Sequence, residues 1–164
     1  MLSNSALLEV FVRMTVAVVL GCVIGVDRNL RGKPTGIKTL GLVALGAALV
    51  TMASTGFSVA SIGADDRSAR AIQGLVTGIG FLGAGVIIQS QTEKRIRGLT
   101  TAASIWVTAA LGIVCGIGAW SVALMATIIV MLLFTLGRVF ERTLHRRWLS
   151  KPEKEREALE LHDE

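Results

Sequence analysis

Five long apolar stretches, separated by short polar connectors, take up most of this chain: Leu7 to Val26, Lys38 to Phe57, Arg70 to Gln89, Leu99 to Gly116 and Trp120 to Arg138. A helix needs ~20 apolar residues to cross a ~30 Å hydrocarbon layer at ~1.5 Å rise per residue. Each stretch is close to that length, so the pattern predicts five transmembrane helices in an all-α, polytopic membrane protein. With 52% hydrophobic residues among 164, the chain is too apolar to cover the surface of a soluble domain. One membrane domain, residues 1–140, accounts for nearly everything. Residues 141–164 read as a short basic juxtamembrane helix and a charged tail too small for a second core.

The net charge of +5 does not point to nucleic acid. The basic residues flank the spans and form no patch interleaved with aromatics. Fourteen of the 17 fall on one side when the spans alternate: Arg28, Arg31, Lys33 and Lys38 in the first connector, Lys94, Arg95 and Arg97 in the third, and the C-terminal cluster from Arg138 to Arg156. Positive residues are retained on the cytoplasmic side, which predicts the N-terminus outside and the C-terminus inside. The N-terminus has no Lys or Arg before its first apolar run, so it reads as a retained helix. Cys22 and Cys115 then lie at different depths, out of disulfide reach. His145 and His162 are isolated and read as solvated or interfacial residues.

Glycine in a helix costs about 1 kcal/mol relative to alanine, yet these spans are rich in it. Small residues at four-residue spacing let helices approach closely in lipid. Gly21 and Gly25 mark span one; Gly74, Gly78, Gly80, Gly83 and Gly85 mark span three; Gly112 and Gly116 end span four. Spans one, three and four are therefore expected inside, span two as intermediate, and bulky span five at the periphery. The run Gly78 to Gly85 (GIGFLGAG) carries four glycines in eight residues, dense enough to bend or partly unwind.

Three polar clusters meet at the cytoplasmic side: Asp27, Arg28 and Arg31; Lys33, Lys38 and Thr39; and Arg97, Thr100, Thr101 and Ser104. Asp27 is the acid of the first connector and is expected to be partly buried beside Gly25. Two readings stand open. Asp27 pairs with Arg28, Arg31 or Arg97 while Thr100 and Thr101 cap span four; or Asp27 and the hydroxyls form a cation site or protonatable switch. The first is favoured, because one carboxylate among many positive charges makes a poor metal site. On the other side Glu9 and Arg13 have i, i+4 spacing and are expected to pair, and Asp65 and Asp66 are placed to cap span three. No nucleophile with a base, phosphate loop or metal-ligand spacing is present, so neither an enzyme nor a cofactor is expected.

The segments GVDRNLRGKPTGIKTLGLVALGAAL (Gly25 to Leu49), IQGLVTGIGFLGAGVI (Ile72 to Ile87) and RGLTTAASIWVTAALG (Arg97 to Gly112) resemble the membrane domain of the MgtC/SapB family of bacterial inner-membrane proteins. The resemblance implies a five-helix domain with a cytoplasmic C-terminus and a role in adaptation to low magnesium, linked in pathogens to survival inside host cells. Its members look like modulators of other membrane systems, with effects on membrane potential or ATP synthase suggested for some. It draws attention first to Asp27, then to Arg28 and Arg31. Many members continue into an ACT-like soluble domain, which is not expected here. The partners expected are the bilayer, a second copy of the chain and another membrane protein; the competing expectation is a magnesium or other cation transporter or channel subunit.

Overall fold

A computed structural model describes residues 3–57, 66–89 and 98–149, without the side chains of 88–89, 141–142 and 144–149. Its five helices are α1 (Asn4–Asn29), α2 (Ile37–Ser54), α3 (Asp66–Gln89), α4 (Leu99–Ile117) and α5 (Trp120–Leu149). Each is long and apolar enough to span a bilayer. Ser3 caps α1 by accepting a hydrogen bond at Oγ from the Ala6 N–H at 3.3 Å. Glycines with positive φ flank α4: Gly98 (+97°) precedes it and Gly118 (+89°) ends it. A left-handed residue at a helix C-terminus lets the chain turn back onto the last carbonyls, and here the Gly118 N–H donates to the Cys115 carbonyl at 2.9 Å.

The chain divides into two compact units, one running to Thr127 and one from Ile128 onward. The first is built around α2, and α1 and α4 both pack on it. α1 contributes Ala17, Leu20, Gly21, Ile24, Gly25 and Arg28, a stripe with helical three- and four-residue spacing. α2 presents Leu40, Gly41, Ala44, Ala47, Ala48, Thr51 and Met52, and ten residues of α4 are buried.

Backbone contact sets the distance between these helices. A Cβ on Gly21 would stand 2.6 Å from the Leu40 carbonyl oxygen, and one on Gly25 would stand 2.6 Å from the Ile37 Cα. From the α4 side, a Cβ on Gly112 would overlap the Ala44 carbonyl oxygen, and one on Gly116 would lie 2.9 Å from that of Ala48. Gly21 with Gly25 and Gly112 with Gly116 are thus two four-residue pairs that grip α2. In lipid, where apolar side chains gain little by leaving the tails, such close packing is a main source of helix association.

This corrects the expected order of burial. α2, expected to be intermediate, is central, and α3 lies outside the core. Among the described residues of α3 only Ser68 and Gly83 are buried. Its Ile72, Leu75 and Ile79 pack against the cluster of Ala47, Ala109 and Ile113. Gly74, Gly78, Gly80 and Gly85, expected at packed interfaces, face open space; Gly83 alone of the five has a neighbour, Ala102, whose Cβ would be 3.5 Å from an added Cβ. Residues 66–89 also form one helix, so GIGFLGAG is not unwound.

Near its start α5 places Ala123 and Thr127 in buried positions of the first unit. In the second unit Ile129, Leu133, Leu136, Val139 and Phe140 are all more than 60% exposed, as suits contact with acyl chains. α5 runs to Leu149, into the stretch read as a short basic juxtamembrane helix.

Candidate functional site

The expected polar cluster is organised by one side chain. Arg28, on the last turn of α1, is 3% exposed and donates four hydrogen bonds. Nε reaches the Thr35 carbonyl at 3.3 Å and Nη2 the Pro34 carbonyl at 3.1 Å, both in the α1–α2 loop. Nη1 reaches Ser104 Oγ at 2.9 Å and Nη2 also reaches Thr101 Oγ1, both on α4. Only the planar fork of an arginine can span two carbonyls and two hydroxyls in this way.

None of these partners is a carboxylate, and the guanidinium sits by the positive N-terminal end of α4. The dipole penalty there is at most about 1–2 kcal/mol. A hydrogen bond to a charged group contributes roughly 1.5–3 kcal/mol, so four of them outweigh it. The loop conforms to this arrangement: Thr35, a β-branched residue, has φ of +63°, a region that such residues rarely adopt. Its carbonyl is one of the two that Arg28 holds.

Asp27 pairs with Arg31 one turn away, the two side chains being 13% and 18% exposed. Thr101 binds Arg28, and the residue at the α4 N-cap is Gly98, with no side-chain cap; capping by Thr100 and Thr101 is therefore corrected. Ser104 Oγ, besides accepting from Arg28, donates to the Thr100 carbonyl at 2.6 Å. Thr100, Lys33, Lys38 and Thr39 are exposed around this core. Arg97 and Asp65 lie outside the described residues.

A second buried arginine occupies the other end of the bundle. Glu9 and Arg13 form the expected i, i+4 pair. What the spacing did not reveal is that Arg13 is 4% exposed and donates through Nη1 to the Gly116 carbonyl at 2.7 Å, at the C-terminus of α4. Here the dipole favours the cation. Gly118 makes room for it, since a Cβ there would lie 2.8 Å from Arg13 Nη2. Arg13 and Arg28 are about 22 Å apart along α1 at helical rise, and α1 thereby fastens both ends of α4. The visible signal was an arginine inside an apolar run, a position that demands a partner within the protein.

Between the two arginines the hydroxyls are satisfied locally. Thr51, Thr108 and Thr127 each donate to the carbonyl four residues back, at 2.7 to 2.8 Å. Among the described residues no group of three or more His, Cys, Asp or Glu is placed to hold a metal ion. Cys22 and Cys115 are free thiols.

Residues 14–143 match the model of the MgtC family. The chain belongs to the MgtC family. Within reach of that family it is 42% identical over 146 residues to the protein SrpB of Synechococcus elongatus, covering 84% of this chain and 78% of that one. It is 37% identical over 150 residues to an uncharacterized protein of Haemophilus influenzae, covering 89% and 63%. It is 42% identical over 115 residues to the protein MgtC of Salmonella typhimurium, covering 70% of this chain and 46% of that one. The chain thus spans about half the length of MgtC itself. No solved structure matches. The matched region contains Arg28, Thr101, Ser104 and both glycine pairs.

Proposed function

We propose that this multi-pass protein sits in the bacterial inner membrane and acts as a non-enzymatic modulator of other membrane proteins in adaptation to low magnesium or membrane-energetic stress. Membership of the MgtC family supports the setting, with the expectation that the resemblance carries. The observation that bears most on mechanism is the closed interior. The α1, α2 and α4 backbones meet through glycine, and the charged side chains buried there among the described residues are the arginines Arg13 and Arg28. Cation paths through membranes are lined by acids, carbonyls or water. Two buried cations at the ends of a tightly packed bundle oppose such a path. Action through an outer surface fits this interior better than conduction through it, and α3 has the most open surface of small residues.

The experiment is Mg²⁺ flux into proteoliposomes holding the purified full chain, comparing wild type with Asp27→Ala. The expected result is no flux above empty vesicles from protein shown to be folded. Flux that disappears on Asp27→Ala would make this a cation transporter and overturn the proposal.

A further inference from the structure

The α1–α2 loop that Arg28 holds from inside has an outer surface that the Arg28 network does not use. α1 and α2 are both long and apolar enough to span the bilayer, so the loop between them, Leu30 to Gly36, lies at one bilayer surface. α2 sets its depth. The 18 residues of α2 make a helix of about 27 Å, slightly shorter than a ~30 Å hydrocarbon layer. A short span keeps its ends at the border between acyl chains and headgroups and does not lift them into water.

Two kinds of side chain are exposed at that border. Leu30 is 83% exposed and Ile37 36%, both apolar. Lys33 and Lys38 are exposed as well, and among the described residues neither ammonium group is in an ion pair. Asp27, the one acid between Gly25 and Lys38, is engaged by Arg31, so it does not cancel the lysines.

We propose that this loop docks on anionic lipids, with Lys33 and Lys38 on the headgroup phosphates and Leu30 and Ile37 among the upper acyl carbons. Charge complementarity calls for an anion, and the exposed leucine decides which one. Free phosphate or an acidic soluble segment would meet the lysines and leave Leu30 in water, whereas a lipid brings an anion and an acyl chain in one molecule. A lysine suits this border, because its stem lies along apolar surface while its head reaches the phosphate. The loop is also shaped in advance. Arg28 donates to the Pro34 and Thr35 carbonyls, and the Lys33 N–H donates to the Arg28 carbonyl at 3.1 Å, so little ordering is left for the lipid to impose.

The test uses the full chain carrying Cys22→Ser, with buried Cys115 retained and a single cysteine at Thr39 or Leu132 bearing a small fluorophore. Quenching by brominated phosphatidylglycerol is compared with quenching by brominated phosphatidylcholine in mixed vesicles. Expected at Thr39, beside Lys38, is a preference for the anionic lipid of roughly fivefold. Lys33→Gln together with Lys38→Gln should bring that ratio to about one while the protein keeps its helicity. Leu132, within the α5 span, should show no preference. Equal quenching by the two lipids at Thr39, an equal preference at Leu132, or a preference unchanged by the two lysine substitutions would overturn the proposal. Loss of the preference when inorganic phosphate replaces chloride at equal ionic strength would also overturn it, since the loop would then take free phosphate. The flux experiment bears on none of these outcomes.

Discussion

Gly112 and Gly116 on α4 and Gly74 and Gly78 on α3 have the same four-residue spacing, but in this molecule they meet opposite surroundings. The first pair lies so close to α2 that a methyl group would strike the carbonyls of Ala44 and Ala48; where a methyl group on either glycine of the second pair would stand, no other helix among the described residues comes within 4 Å. Spacing gives a helix the capacity for close approach, and the neighbour decides whether it is used. The α4 pair is flanked by side chains that tie α4 to its neighbours at both ends, Arg28 at one and Arg13 at the other. The α3 pair is flanked by the exposed side chains of Gln73 and Phe81.

The largest expected effect comes from breaking the tie at the α4 N-terminus. Arg28→Ala strands two carbonyls and two hydroxyls and should cost about 3 kcal/mol or more in detergent unfolding. Arg28→Lys should recover less than half, since an ammonium is a single point where the guanidinium is a fork. Next is Arg13→Ala, expected to cost about 2 kcal/mol by the same assay; the smaller figure reflects a Glu9 side chain 38% exposed, which water can take over. An equal or greater loss for Arg13→Ala would mean that the outer end carries the fold.

On α3 the sign should reverse. Gly74→Ala and Gly85→Ala add a methyl group to open space and remove a poor helix former, so each should leave the monomer unchanged or more stable by up to ~1 kcal/mol. The smallest effect concerns the loop: Thr35→Gly relieves a left-handed threonine while loosening the unfolded chain, for a net gain below ~1 kcal/mol. A large loss there would show that the Thr35 side chain, and not only its carbonyl, is needed.

Much of this was legible before the structure. The five spans follow from length and apolarity, because a backbone in lipid must satisfy itself within helices. Alternation of the spans put the α1–α2 loop and the start of α4 at one end, so Arg28, Thr101 and Ser104 belonged to one cluster on sequence grounds. What periodicity could not separate was the inner glycine stripe from the outer one, since both read as small residues four apart. The central place of α2 was hidden for a related reason: its Ala44 and Ala48 are small because glycines from two helices press on them, and a sequence shows only one side of that contact. Arg13 read as half of a pair with Glu9, one turn before it on the same helix; its burial depends on Gly116 and Gly118, about a hundred residues away.

The measurement that tests this division most directly is the unfolding of Gly112→Ala and Gly78→Ala side by side, in detergent and at a dilution where the chain is monomeric. The account predicts that Gly112→Ala loses about 2–3 kcal/mol through overlap with α2 and that Gly78→Ala loses nothing. Equal losses, or a greater loss at Gly78, would place α3 inside the bundle and contradict it.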